Sequence, residues 1–306
     1  MPDTVTAQAP AKLNLALAVG PREEGGMHPI CSWMITVDLY DELEVTRLPA
    51  DRFSRYAVLW HEEARRRNDI DWSIRTDLAV RAHLALEDRV HRRLPVQMKL
   101  QKRIPVGGGL GGGSSDAAAM LHAVNELFEL GFDGDELADI AATIGSDVPF
   151  LVHGGSALVE GLGSQLARHD RTPNLDAVLA FPEAICPTAR IYRLFDDLEP
   201  AAWRGDAVRA LTAGMPEAPP PDGLFNDLAR AALCAAPHLE EDLARLSELA
   251  ERPAHLSGSG SSIFVICDDP LHAEHLAGAA EQACGFPAVA VKAAPSRAEQ
   301  AGEVRR

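Results

Sequence analysis

The residues with the clearest chemical purpose lie in "IPVGGGLGGGSSDAAAML", Ile104 to Leu121, where six glycines fill all but one of seven consecutive positions before a helix-forming run. A helix start leaves backbone N–H groups without partners and carries a partial positive charge, so a stretch without side chains lets an anion approach those donors closely. Ser114 and Ser115 add hydroxyl donors, and Asp116 offers a capping oxygen. Phosphate is the ligand that fits this chemistry. Two familiar phosphate loops are excluded on detail: no Lys-Ser/Thr pair follows the glycines, and the GxGxxG spacing inside "GGGLGG" lacks an acidic ribose partner at the right strand end. Glycines also serve turns and close packing, but a run this long, followed by two serines and a helix, favours anion binding.

The elements that must carry this loop are legible from periodicity. "AKLNLALAVG" alternates with period two, placing Leu13, Leu15 and Leu17 on one face and the polar pair Lys12 and Asn14 on the other. A second strand, "DELEVTRL", leads through a polar, Arg-rich connection to the helical stripe of "TDLAVRAHLALEDRV". In "LPVQMKLQKR", Val96, Met98 and Leu100 share a strand face, and Lys102 ends that same face where the glycine loop begins. After the loop, Ala117, Met120, Leu121, Val124, Leu127 and Phe128 recur at helical spacing, which predicts a helix starting at the serines and ending before Gly131. "DGDELADIAATIG" predicts a second helix, with Asp133 and Glu136 spaced as a capping box and Gly145 as its stop. "MPEAPPPDGLFNDL" reads as an exposed loop, "LEEDLARLSELA" as an amphipathic helix, "IFVIC" as a strand, and the polar tail from Ala294 as a fraying end.

Composition narrows the partners. With 306 residues and 46% hydrophobic content the chain suits about two globular domains. Its 45 acidic against 29 basic side chains, a formal charge of −16, disfavour nucleic acid and anionic membranes. Cys31, Cys186, Cys234, Cys267 and Cys284 show no CxxC spacing and read as reduced thiols. No basic leader with a long apolar core and no apolar run of ~18 residues is present, so a cytoplasmic protein is expected.

Four separated stretches, "PAKLNLALAVG", "PVGGGLGGGSSDAAA", "IGSDVPFLVHGGSALVEGLG" and "LSGSGSSIFVI", resemble the GHMP kinase superfamily in order and separation, over nearly the whole chain. Pro105 through Ser115 looks like a glycine-expanded form of that superfamily's Pro-x-x-x-Gly-Leu-Gly-x-Ser-Ser signature. The resemblance implies an α+β fold of two domains, a ribosomal-protein-S5-domain-2-like ATP-binding half at residues 1–160, with its left-handed crossover, and a ferredoxin-like half at residues 161–306. Within the superfamily it points to phosphorylation by ATP of the 2-hydroxyl of 4-diphosphocytidyl-2-C-methyl-D-erythritol, a step of non-mevalonate isoprenoid synthesis.

Residue by residue, the resemblance implies ATP contacts at Pro105, Gly107, Gly108, Gly109, Leu110, Gly111, Gly112, Gly113, Ser114 and Ser115, with Lys102 near the adenine. Mg2+ is expected with ATP, its protein ligands unassigned apart from Ser115 as a candidate. Asp147 in "GSDVPF" matches the catalytic aspartate that receives the acceptor's proton, and Lys12 the active-site lysine that favours the ionised base and the developing alkoxide. Asn14 is expected to bind substrate or hold Lys12. His28 in "GGMHPICSW" matches a histidine that reads cytosine, and Tyr192 in "CPTARIY" an aromatic that stacks on it. Asn226 in "LFNDL" matches a recurrent element without an assigned role, and the Ser257–Ser262 turn is read as a supporting contact. The chain departs from the family pattern at Met27, where a tyrosine is usual, at Pro29, and at Asp77, where an asparagine contacts ATP. These departures leave room for a different alcohol acceptor, such as homoserine or a sugar; a silent nucleotide-binding regulator is the third reading, against which Lys12 and Asp147 argue. A small-molecule partner carrying cytidine diphosphate and a monomer or homodimer are expected.

Overall fold

The structure, a computed structural model, describes residues 3–198 and 202–303. In chain order the elements are β1 (Thr4–Val19), β2 (Ile30–Arg47), β3 (Arg55–Trp60), α1 (Leu78–Arg89), β4 (Val96–Lys102), α2 (Gly112–Leu127), α3 (Gly134–Ala142) and α4 (Val148–His153). They continue with β5 (Ser156–Gly161), β6 (Gln165–Arg168), β7 (Asp176–Ala180), α5 (Thr188–Asp197), α6 (Gly205–Thr212), β8 (Phe225–Asn226) and α7 (Ala229–Ala235). The last are α8 (His238–Ala250), β9 (His255–Leu256), β10 (Ile263–Cys267), α9 (Pro270–Cys284), β11 (Ala288–Lys292) and α10 (Arg297–Glu303).

By internal contacts the chain forms two compact units. The first holds residues up to Ala11, Leu39–Val106 and Gly111–Gly154; the second holds Lys12–Asp38, Gly107–Leu110 and everything from Gly155 on. This partition interleaves along the chain because the long strands β1 and β2 each contribute residues to both units.

In the first unit the strand order is β3-β4-β2-β1, with β3 parallel to β4 and β4 antiparallel to β2. The period-two pattern of β4 is obeyed: Val96, Met98 and Leu100 are buried while Gln97 and Lys99 face solvent. Lys102 therefore falls on the buried face, where its charge requires partners. Strand β3 lies inside the segment read from sequence as a polar connection; at the edge of the sheet it is half-buried only at alternate residues, too weak an apolar signal to stand out. Helix α2 packs against α1 and α4, and α3 starts with the predicted capping box, Asp133 N–H donating to Glu136 at 2.9 Å and Glu136 N–H to Asp133 at 2.9 Å.

In the second unit β8 pairs in parallel with the end of β1, and β5 pairs antiparallel with the start of β2 and with β6. A separate antiparallel sheet runs β11-β7-β10-β9, with α9 packed on β7 and β11 and α8 packed on α9. Leu17, Val178, Ile191, Leu228, Leu246, Ile263 and Val265 are among its core residues, and full burial of each such side chain contributes about 1.5–3 kcal/mol. The tail expected to fray forms α10 over Arg297–Glu303, and its last three residues lie outside the described residues. Glu299 ties it down by accepting from Thr172 N–H at 2.9 Å, Thr172 Oγ1 at 2.7 Å and Ser296 N–H at 2.7 Å.

Candidate nucleotide and substrate site

The middle of the glycine loop belongs to the second unit and is held there through its own carbonyls. Ser262 N–H donates to Gly108 O at 3.1 Å, Ser257 Oγ to Gly109 O at 3.0 Å, and Lys12 N–H to Leu110 O at 2.9 Å. Gly109 has φ +74°, and a Cβ on it would lie 2.1 Å from Ser257 O, so only glycine permits this approach. The "SGSGSS" turn is thus a brace for the loop, with Ser257, Ser259, Ser261 and Ser262 all buried. Asn226 explains its own recurrence: its side chain donates to Leu256 O at 2.8 Å and Gly258 O at 2.7 Å and accepts from Leu228 N–H at 2.9 Å, fixing the turn that fixes the loop.

The loop's exit belongs to the first unit. Helix α2 begins at Gly112, ahead of the serines, because Gly111 supplies the left-handed φ of +69° that turns the chain into it. No side chain caps this start and no carboxylate sits in its first turn, which leaves the donors expected of an anion site. Ser115 is buried and its Oγ has no hydrogen-bond partner among the described residues. Asp116, expected as a capping oxygen, points instead to Lys102. Lys102, expected near adenine, is only 3% exposed and bonds to Asp41 and Asp116. Burial opposes its charge, but the Asp116 and Asp41 carboxylates outweigh burial and raise its pKa. Asp77 caps α1, accepting from Ala79 N–H at 3.0 Å, Val80 N–H at 3.3 Å and Trp72 Nε1–H at 3.1 Å. Asp and Asn serve about equally well at an N-cap, so this substitution keeps the local structure.

Lys12 and Asn14 share one face of β1, and both are buried. The Lys12 ammonium donates to Asn14 Oδ1, Asn14 Nδ2–H to Ser32 Oγ at 2.8 Å, and Ser32 Oγ–H to Ala16 O at 2.8 Å. Asn14 N–H reaches Ser257 Oγ at 3.3 Å, so the lysine's brace and the loop's brace form one network. Of the two roles expected for Asn14, holding Lys12 is the one this network displays. Asp147 lies in the first unit, half-buried, immediately before α4; Pro149 sits in the helix's first turn, and the Asp147 carboxylate does not cap it.

The third cluster is in the second unit. His28 Nδ1–H donates to Gly20 O at 2.9 Å, and Nε2 lies 3.2 Å from Asp196 Oδ1. Its ring is 5.2 Å from that of Tyr192 and 5.7 Å, edge-on, from that of Phe195. Met27 beside it is 54% exposed. Phe195 and Asp196 escaped the sequence reading; their spacing of three and four residues from Tyr192 on α5 was the available signal.

An uncapped helix start, entered through a glycine loop that a serine-rich turn braces on α+β units, fits the GHMP kinase pattern that the sequence resembles. The model described as GHMP kinases N terminal domain matches residues 77–155, from the cap of α1 to just beyond α4. A 4-diphosphocytidyl-2-C-methyl-D-erythritol kinase from Arthrobacter sp. strain FB24 is 33% identical over 284 residues, covering 90% of this chain and 88% of the relative. A crystal structure of 4-(cytidine 5'-diphospho)-2C-methyl-D-erythritol kinase superposes with a TM-score of 0.72 at 32% identity, covering 94% of this chain and 99% of the other. Homoserine kinase from Cytophaga hutchinsonii shares the fold, with a TM-score of 0.70 at 16% identity over 97% of this chain and 96% of the other. The chain belongs to the family of 4-diphosphocytidyl-2-C-methyl-D-erythritol kinases and is an ATP-dependent small-molecule kinase.

Proposed function

We propose that this kinase phosphorylates the 2-hydroxyl of 4-diphosphocytidyl-2-C-methyl-D-erythritol, giving ADP and the 2-phosphate on the way to isoprenoid precursors. The observation that carries the reading is full-length similarity to kinases of that name, at 33% identity over 90% of the chain. The His28–Tyr192 pair supports it, because a ring with a polar edge beside an aromatic face suits a cytosine.

In this reading Gly107 to Ser115, with Pro105 setting the entry, hold the ATP phosphates. Asp147 accepts the proton of the attacking hydroxyl as its oxygen bonds to the γ-phosphorus and the bond to the ADP oxygen breaks. Lys12, oriented by Asn14, stabilises the developing alkoxide. His28 and Tyr192 bind the base. Among the described residues no group of three or more carboxylate, His or Cys side chains is placed to hold a metal. The buried Ser115 Oγ, without a partner among the described residues, is the protein ligand that would hold Mg2+ beside the ATP phosphates, where the ion would supply neutralising charge. The proposed domain division is 1–160 for the ATP-binding half and 161–306 for the other. No described helix is long and apolar enough to cross a membrane, and a cytoplasmic location as monomer or homodimer is part of the proposal.

The test is ADP formation by the purified protein with Mg-ATP and 4-diphosphocytidyl-2-C-methyl-D-erythritol, beside homoserine, galactose and mevalonate. Turnover on the cytidine compound alone is expected; turnover on another alcohol alone would reassign the acceptor to the altered "GGMHPI" stretch.

A further inference from the structure

The buried charges of the first unit point to a device at the loop's two ends. Lys102 closes β4, and its Nζ lies 2.5 Å from Asp41 Oδ2 and 2.5 Å from Asp116 Oδ2. Asp41, on β2 and 0% exposed, uses its other oxygen to accept from Arg103 N–H at 2.5 Å and Ile104 N–H at 2.8 Å, the residues by which the chain enters the glycine loop. Asp116 stands in α2, the helix by which the chain leaves it. The two ends also touch directly: a Cβ on Gly112 would lie 3.0 Å from Ile104 Cγ2 and 3.6 Å from Asp41 Oδ2.

We propose that Asp41, Lys102 and Asp116 form a clasp that ties the entry of the glycine loop to its exit, so that Lys102 serves nucleotide binding by positioning the loop rather than by touching adenine. The inference rests on the reading of the loop as the nucleotide site. Three observations favour a structural clasp over a contact lysine. The ammonium is 3% exposed, it is held by carboxylates from two other elements, and one of those carboxylates simultaneously fixes the loop's entering backbone. A loop held in its binding geometry beforehand loses less entropy on binding, and here that geometry exists for the phosphates rather than for the base. Burial and the neighbouring Asp41 hold the Asp116 carboxyl well above its ordinary range, against the pull of Lys102.

The test is calorimetric titration of the full chain with ADP and with inorganic tripolyphosphate, which has the phosphates and no base. Asp41→Asn keeps an oxygen for the two backbone donors and turns an amide N–H2 toward the ammonium, cutting the clasp alone; Lys102→Met removes the cation and is checked for folding by circular dichroism. Each variant is expected to weaken both ligands by about tenfold, and the double variant by little more than one alone, since both break one linkage. A Lys102→Met loss confined to ADP would mean an adenine contact and would overturn the clasp. Unchanged affinity in Asp41→Asn would do the same, and it stands if Lys102→Met does not fold. Failure of the wild type to bind either ligand would instead remove the loop reading, and the clasp with it.

Discussion

Asp147 is the residue on which the proposed chemistry turns, and its test is a change that keeps size and removes the base. Asp147→Asn is expected to lower kcat by about 10²–10⁴-fold, the usual worth of a positioned general base, while ADP affinity stays within a factor of about two. Stopped-flow turnover and calorimetry on the same preparation separate these outcomes. Met27 is exposed beside a His28 ring already packed on Tyr192, so Met27→Tyr adds an aromatic face where the sequence lacks one. It is expected to lower KM for the cytidine substrate several-fold, by about 1 kcal/mol of stacking, with KM for ATP unmoved. Asp116 yields a stability prediction with a definite sign. Its carboxyl pKa is raised in the folded chain by burial and by Asp41. The folded state therefore keeps a proton that the unfolded chain gives up just above pH 3.8, and stability from this group falls as pH rises from there through the folded value. Asp116→Asn, which cannot ionise, should remove that part of the decline; parallel thermal melts across the range would show the two curves diverging, and parallel curves would refute it. The roles proposed for Asp147 and the glycine loop come from stretches where motif and spacing coincide. Lys102 was legible as the end of the face shared by Val96, Met98 and Leu100, but its carboxylate partners were not, because Asp41 and Asp116 stand 61 and 14 residues away along the chain.

At the scale of elements, the glycine loop is held through its own carbonyls, by Ser262 N–H, Ser257 Oγ–H and Lys12 N–H. Gly109→Ala would push a methyl carbon to 2.1 Å from Ser257 O, so the loop must shift. A displacement of about 1 Å at a positioned group costs on the order of 10²-fold, and kcat/KM for ATP is expected to fall by that much with the thermal transition little changed. Asn226→Ala acts on the next layer, stripping Leu256 O, Gly258 O and Leu228 N–H of their partners. Loss of buried partners of this kind costs about 1–3 kcal/mol, which denaturant melts would register, together with a higher KM for ATP as the brace loosens. Helices α2 and α3 were readable in the sequence because their apolar stripes are long and their ends marked by glycine and a capping box. Strand β3 and helix α10 were not: the first is a half-buried edge, the second is held by Glu299 to Thr172, a contact that sequence periodicity does not carry. The same limit hid Phe195 and Asp196, which gain meaning only when α5 brings them to His28.

For the whole molecule, the net charge of −16 sets a background that repels polyanions, so binding of a tetravalent phosphate ligand must come from local donors. In the proposed reading the helix start of α2 and the backbone of the loop supply them. The α+β class and the family were legible because the four motif stretches are local and keep their order. The interleaving of the two units follows from strand length and pairing rather than from any motif. As proposed, this kinase moves the γ-phosphoryl group of ATP to one particular hydroxyl. The most direct measurement is phosphorus NMR of the wild-type reaction with Mg-ATP and 4-diphosphocytidyl-2-C-methyl-D-erythritol, with Asp147→Asn as the control. A new phosphomonoester on the 2-hydroxyl, formed in step with ADP and absent from the control, is the predicted result; unreacted cytidine substrate alongside phosphorylation of homoserine, galactose or mevalonate would contradict it.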